Sequence, residues 1–202
     1  METIQAPVSE DELEDQKWIR AFQSGQEEGF NRLVLKHQDK IFGLCMRLLS
    51  HPFESPNKTR LEAEDIAQEA MVRAYHGLAD FRMDSKFSSW LYRIAVNACK
   101  NRLASKTFRE EKFQDSLDAA DGDSAPRSQA PDQVLESKNK NQAIEAAISR
   151  LPEEQKILVV LRDVEGRSYE EVAEMTGLNL GTVKSRLNRG RSQLQEWLKE
   201  YR

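Results

Sequence analysis

The 202-residue chain has no apolar run long enough to cross a bilayer, only two cysteines, and no useful stretch of alternating polar and apolar residues. Each absence excludes a class. A spanning helix needs about 20 predominantly apolar residues in a row. Met1 opens an acidic segment (Glu10, Asp11, Glu12, Glu14, Asp15) where a signal peptide would be basic and then apolar. The expectation is a soluble, cytoplasmic protein with no membrane insertion. Cys45 and Cys99 lie singly in apolar-periodic stretches, without a CxxC or a neighbouring His, so neither a disulfide framework nor a zinc site is expected and both read as small core fillers. No nucleophile–base spacing, phosphate-binding glycine loop or metal cluster links them to His37, His51 and His76. No catalytic residue, metal or cofactor is therefore expected.

What the chain does have is charge: 32% of its residues are charged against 39% hydrophobic, with a formal net charge of −4. A length of this order suits one or two small domains, and the low apolar fraction predicts two thin cores rather than one thick one. Net acidity argues weakly against nucleic acid, but the charges are segregated. From Arg82 to Lys112 the bases Arg82, Lys86, Arg93, Lys100, Arg102, Lys106, Arg109 and Lys112 outnumber the acids Asp84, Glu110 and Glu111. Lys184, Arg186, Arg189 and Arg191 form a second basic group with no acid among them.

Between these groups, residues 115–133 (DSLDAADGDSAPRSQAPDQ) lack aromatics and helical periodicity, the composition of a solvated linker. The fold expected is all-α, two small helical domains (1–112 and 134–202) joined by a flexible acidic linker (113–133). In the first, Leu13, Trp18, Ile19 and Phe22 mark a helix over 11–24 closed by Gly25, and Phe30, Leu33, Val34, His37, Ile41, Leu44, Cys45 and Leu48 mark a longer one, with His37 packed in the core. Pro52 and Pro56 are read as ending it in an irregular loop that reaches about Arg60. Helix resumes over 62–78, and Asp84 or Ser85 can cap another over 87–106. In the second, a helix over 133–150 precedes one begun by Pro152, and Val159–Leu161 reads as buried helix.

The C-terminal segment carries more chemistry. Ser168-Tyr-Glu-Glu171 is a capping box that opens a short helix, Gly177 supplies a turn, and a second helix starts near Asn179 or Leu180. Val183, Leu187, Gly190, Leu194 and Leu198 give the second helix an inward face, and Thr182, Lys184, Ser185, Arg186, Asn188 and Arg189 point outward. This is a helix-turn-helix of the kind that lays its second helix in a major groove, the cations meeting phosphates and the amide and guanidinium groups reading base edges. The alternative is a helical hairpin with a solvated basic face. The strings Leu151-Pro-Glu-Glu-Gln155, Leu161–Ala173 and Gly181–Arg191 resemble region 4 of bacterial sigma factors. That resemblance implies recognition of the minus 35 promoter element.

In the N-terminal half, Asp65–Tyr75 puts Ile66, Ala70 and Ala74 on one helix face and leaves Asp65, Gln68, Glu69 and Arg73 for solvent or a partner. Phe87–Asn101 puts Leu91, Ile94, Ala95 and Ala98 one way and Arg93, Asn97, Lys100 and Asn101 another. Cations and amides beside Phe81, Phe87, Trp90 and Tyr92 suit single-stranded nucleic acid, although Phe87 and Trp90 are equally compatible with the core. Both segments resemble sigma region 2, and the direct succession of regions 2 and 4 resembles the extracytoplasmic-function group of sigma-70 factors. The resemblance implies that Asp65, Gln68 and Glu69 dock on the clamp helices of the largest subunit of core RNA polymerase, and that the flap of the second-largest subunit is a further contact. It implies that Asn97 and Asn101, with Arg93 and Lys100, contact the minus 10 strand while the loop 78–87, with Phe81, Arg82, Lys86 and Phe87, cradles a flipped base. It also implies an anti-sigma factor as a partner. The segment 50–64 is longer than the family's usual connection, and the acidic linker suits either solvation or mimicry of nucleic acid in the RNA channel. Two other classes compete: a dimeric helix-turn-helix regulator that binds duplex DNA without polymerase, and an enzyme built on Cys45, Cys99 and the three histidines.

Overall fold

In a computed structural model of the chain, residues 9–114 and 133–199 are described, with side chains over 9–106 and 140–199. These residues form eight α-helices and no strand. Local chemistry sets most of the boundaries. The Ser9 side chain accepts from the Glu12 N–H at 3.3 Å to open α1 (Glu10–Gln23), and Gly25 turns the chain at φ +92°, which glycine adopts without a side-chain clash. Along α2 (Glu28–Leu49) the expected stripe is inside: Leu33, His37, Ile41, Leu44, Cys45 and Leu48 are all buried.

α3 (Pro56–Leu78) begins six residues before the expected start near Glu62. Pro56 does not extend a loop. It sits in the first turn, where its missing N–H interrupts no helical bond, and the Ser55 side chain accepts from the Lys58 N–H at 3.3 Å. Most of the long segment 50–64 is thus helix. Its short non-helical part is tied to α4 (Phe87–Gln114): Lys106 donates to both carboxylate oxygens of Glu54, at 3.0 and 3.1 Å, and also pairs with Glu62. Burial alone would raise the Glu54 pKa, but Lys58 and Lys106 outweigh it and hold the carboxyl below its ordinary value. The first bond of α4 runs from the Trp90 N–H to the Lys86 carbonyl, so Lys86, and not Asp84 or Ser85, holds the N-cap position.

α5 covers Gln133–Ser149. The expected linker, 113–133, lies outside the described residues from 115 to 132. α6 (Glu153–Val159) runs on into a π-helical turn, Val160–Val164, whose wide ring brings the Glu165 N–H to the Val160 carbonyl at 2.9 Å. Val159–Leu161 is therefore buried helix, as expected, but wound more loosely at its end. α7 (Tyr169–Thr176) and α8 (Leu180–Trp197) complete the fold.

The two thin cores expected from composition are joined. α1, α3 and α4 pack on α2, α7 packs on α4, and the buried side chains of both halves form one cluster from Ile19 to Leu187. Polar groups bridge the halves. Glu165 accepts from Arg47 at 3.1 Å and from the Tyr92 hydroxyl at 2.8 Å, and the Arg167 guanidinium stands 4.3 Å over the Tyr92 ring. Burial, and then Glu165, push the Tyr92 phenol up to about 12, so it remains a donor at neutral pH. Lys156, also buried, donates to the Ser50 carbonyl at 2.8 Å, and burial pushes its ammonium below the ordinary lysine value.

Two contacts fix α1 on α2. Gly29 is buried against α1, where a methyl group would overlap the Trp18 carbonyl oxygen and stand 2.8 Å from the Phe22 nitrogen. Asp15, 6% exposed, receives Lys36 at 2.9 Å and His37 Nε2 at 3.0 Å. Gly29→Ala is expected to lower stability by roughly 2 kcal/mol despite the better helix propensity of alanine, because backbone atoms must move. Denaturant unfolding measures it. For Asp15, burial raises the carboxyl pKa, but the bonds from His37 and Lys36 bring it below its ordinary 3.8. A depressed folded-state value means that the stabilisation is present above the unfolded value and is lost as pH falls through the folded one. Asp15→Asn should therefore lower the melting temperature at pH 7, and the gap to wild type should close as pH falls below the ordinary carboxylate range.

Candidate nucleic-acid interface

The C-terminal site begins with α7. Ser168 Oγ accepts from the Glu171 N–H at 3.1 Å, and the Glu171 carboxylate accepts from the Ser168 N–H at 2.9 Å, so the capping box read from sequence is complete. Gly177 ends the helix in the left-handed conformation, φ +70°, and Asn179 caps the next by accepting from the Thr182 N–H at 2.8 Å. α8 then lies with Val183, Leu187 and Gly190 buried. Gly190 permits a close approach to α6, since a methyl there would lie 3.1 Å from Val159 Cγ2. Leu194 and Leu198, assigned to the same inward face, are half-buried.

The opposite face is open. Lys184, Ser185, Asn188 and Arg189 are exposed, while Thr182 and Arg186 are half-buried. Not every cation there is equally available. Arg186 pairs with Glu154 at 3.1 Å, and Lys184 Nζ stands 5.8 Å from the Tyr169 ring. Arg191, counted in the basic group, turns to Asp163, which holds its guanidinium pKa above the ordinary value.

The N-terminal site lies on α4 and the loop before it. Arg93, Asn97 and Asn101 are exposed and spaced by four, and Lys100 beside them is half-buried in a cleft lined also by Glu153, Glu154 and Arg186. Phe87 is only 4% exposed and packs edge-on against His37, so it forms a floor and presents no open face. Phe81 is half-buried with its ring 4.8 Å from Trp90, and Trp90 leans on Gly77, where a methyl would meet its ring at 3.0 Å. Arg82 and Lys86 are exposed, the latter 3.6 Å from Glu171. Along α3, Asp65 and Gln68 are exposed and Glu69 is half-buried and paired with Arg73; Leu61 and Val72, 64% and 50% exposed, continue that face.

Two residues of this region escaped the sequence reading. Met83 holds φ +58°, a strained value for a side chain of its size, and Gln23 at the end of α1 donates to carbonyls of the loop. Neither carries a motif. The groups an enzyme would require are dispersed: His37 faces Asp15, His51 lies against Phe53, His76 beside Tyr75, and Cys45 meets Cys99 in the core.

Residues 33–109 match the sigma-70 region 2 family and residues 141–194 match sigma-70 region 4. The chain is 35% identical over 189 residues to the RNA polymerase sigma-H factor of Pseudomonas aeruginosa, covering 92% of this chain and 94% of that protein. It is 34% identical over 185 residues to the ECF RNA polymerase sigma-E factor of Escherichia coli strain K12, covering 90% and 92%. Among solved structures it resembles the sigma factor RpoE of Bartonella quintana, crystallised with the anti-sigma factor NepR, with TM-score 0.61, 26% identity, and 84% and 96% of the two chains covered. CnrH, solved with the cytosolic domain of CnrY, shares the fold at TM-score 0.62 and 23% identity, covering 93% and 98%.

Proposed function

The chain belongs to the extracytoplasmic-function group of the sigma-70 family, and from that premise we propose that it binds core RNA polymerase, directs it to promoters and captures melted DNA while the polymerase does the chemistry. The observation that carries this is the pairing, on one chain that matches its relatives nearly end to end, of two exposed faces rich in cations and amides, one on α4 and one on α8. Residues 1–112 form the region 2 domain, 113–133 the linker and 134–202 the region 4 domain. Asp65, Gln68 and Glu69 dock on the clamp helices of the largest subunit, and the flap of the second-largest is a further contact. Thr182, Lys184, Ser185, Arg186, Asn188 and Arg189 enter the minus 35 groove. Arg93, Asn97, Lys100 and Asn101 take the minus 10 strand, with Arg82 and Lys86 on its phosphates and a base received beside Phe81, above the floor made by Phe87. An anti-sigma factor is a further partner, and the site of action is the cytoplasm.

Magnitudes suit this mechanism. Opening one step of duplex costs about 1.4 kcal/mol, and one base stacked on an aromatic side chain returns about 1–3 kcal/mol, so a few captured bases offset the melting of a short segment. The cations need not be strongly held beforehand. A partly exposed ion pair such as Arg186–Glu154 is worth about 1 kcal/mol or less and exchanges readily for a phosphate.

Reconstitution tests the reading: purified protein is mixed with core polymerase, and a promoter library is transcribed. Initiation at selected promoters is expected. No polymerase binding, together with tight duplex binding by the protein alone, would instead make it a dimeric regulator. Gln68→Ala with Glu69→Ala should weaken polymerase binding roughly tenfold, the scale of an interface hot spot, with the fold unchanged. Asn97→Ala should leave that affinity alone and reduce promoter opening roughly tenfold, as expected for a lost base contact. Arg189→Ala should weaken binding to minus 35 duplex and lower the slope of log affinity against log salt by about 0.9, the signature of one phosphate contact.

A further inference from the structure

Gln23 belongs to neither of the two faces described above, yet its side chain holds the loop between α3 and α4. The amide nitrogen donates to the Phe81 carbonyl at 2.9 Å and the Leu78 carbonyl at 3.1 Å, with the Ala79 carbonyl at 3.4 Å. Leu78 is the last residue of α3, and its carbonyl, which also accepts the Phe81 N–H at 3.3 Å, is among those that a helix end leaves without a partner inside the helix. One donor group from α1 therefore caps α3 from outside and pins the chain three residues later. The loop needs such a hold. It includes the strained Met83, and the Phe81 ring lies at a tilt of 36° on Trp90, which is itself seated against Gly77 of α3. If the Phe81 carbonyl is released, the loop can relax at Met83, and the ring that receives a base loses its fixed position relative to Asn97 on α4.

We propose that Gln23 is a positioning residue for strand capture: it fixes the 79–86 loop in the shape that receives an unstacked base, without touching nucleic acid itself. This rests on the reading of that loop as the base cradle. Donation, not size, is what the site requires. All three partners are carbonyl oxygens, so a methionine of similar volume cannot replace the amide, and a glutamate would set a carboxylate against three acceptors. The benefit is preorganisation: a loop already in its bound shape does not have to be ordered when the base arrives.

The test uses the full chain with core polymerase on a promoter chosen by the wild-type complex from a library. Abasic sites are walked along the minus 10 strand, one position at a time, and open-complex formation is measured for wild type, Gln23→Met and Gln23→Glu. In wild type one position should stand out, its abasic form opening about tenfold less, the value of a lost stacking contact. Gln23→Met should open the intact promoter to a similarly reduced extent, and the abasic site should then cost it almost nothing more. Its affinities for core polymerase and for minus 35 duplex should be unchanged. Gln23→Glu should be at least as impaired. A role limited to stability would lower the melting temperature but leave the abasic penalty in the variant as large as in wild type, and that result overturns the proposal. Wild-type opening on the intact promoter, by a Gln23→Met protein with a normal melting curve, overturns it equally. If no abasic position matters to wild type, the base cradle itself is wrong, and the assignment of Gln23 falls with it.

Discussion

α4 is the element on which the rest depends, because one helix must satisfy three surroundings at once. Toward α2 and α3 it buries Phe87 against His37 and sets Trp90 on Gly77. Toward the C-terminal half it buries Tyr92, whose hydroxyl meets Glu165 and whose ring meets Arg167. The remaining face, with Arg93, Asn97 and Asn101, is open to solvent. A helix so surrounded shows little amphipathic contrast along its length, yet its register is fixed. A one-residue slip would bury Arg93 or expose Tyr92. The placement of Arg93, Asn97 and Asn101 is thus a consequence of packing on two sides.

Electrostatics shape the other face in a similar way. Of the cations near α8, Arg191 is committed to Asp163 and Arg186 leans on Glu154, leaving Lys184 and Arg189 as exposed positive charge beside Asn188 and Ser185. The basic surface is smaller than a count of residues suggests. Exposed pairs of this kind are weak and screened by salt, so their carboxylates can give way to phosphate when DNA arrives. Glu171 serves two purposes, closing the capping box of α7 and standing 3.6 Å from Lys86, so a local helix signal also contributes to contact between the halves.

Much of this was legible in the sequence, and what was not had physical causes. The stripe of α2, the capping box at Ser168, the turn at Gly177 and the buried face of α8 as far as Gly190 all follow from local periodicity and cap chemistry, and the structure reproduces them. Pro56 misled because proline is tolerated in the first turn of a helix as readily as it ends one. The bridge from Arg47 to Glu165 joins elements far apart in sequence, which periodicity does not connect, while the π-helical turn after Val159 and the close approach of Gly29 to α1 are local features that hydrophobic periodicity does not report. Phe87 illustrates the limit of composition: an aromatic residue in a basic segment suits base stacking or a core equally, and only its 4% exposure separates the two. Gln23 had no signal, since a polar residue at a helix end is ordinarily solvated.

The central claim is that strand opening requires this chain and polymerase together. Its most direct test is a footprint with a reagent that oxidises unpaired thymines, on a promoter incubated with core polymerase, with this protein, or with both. Reactive thymines in the minus 10 segment are expected only when both are present. Strong duplex binding by the protein alone, with no reactive thymine in any mixture, would contradict the claim.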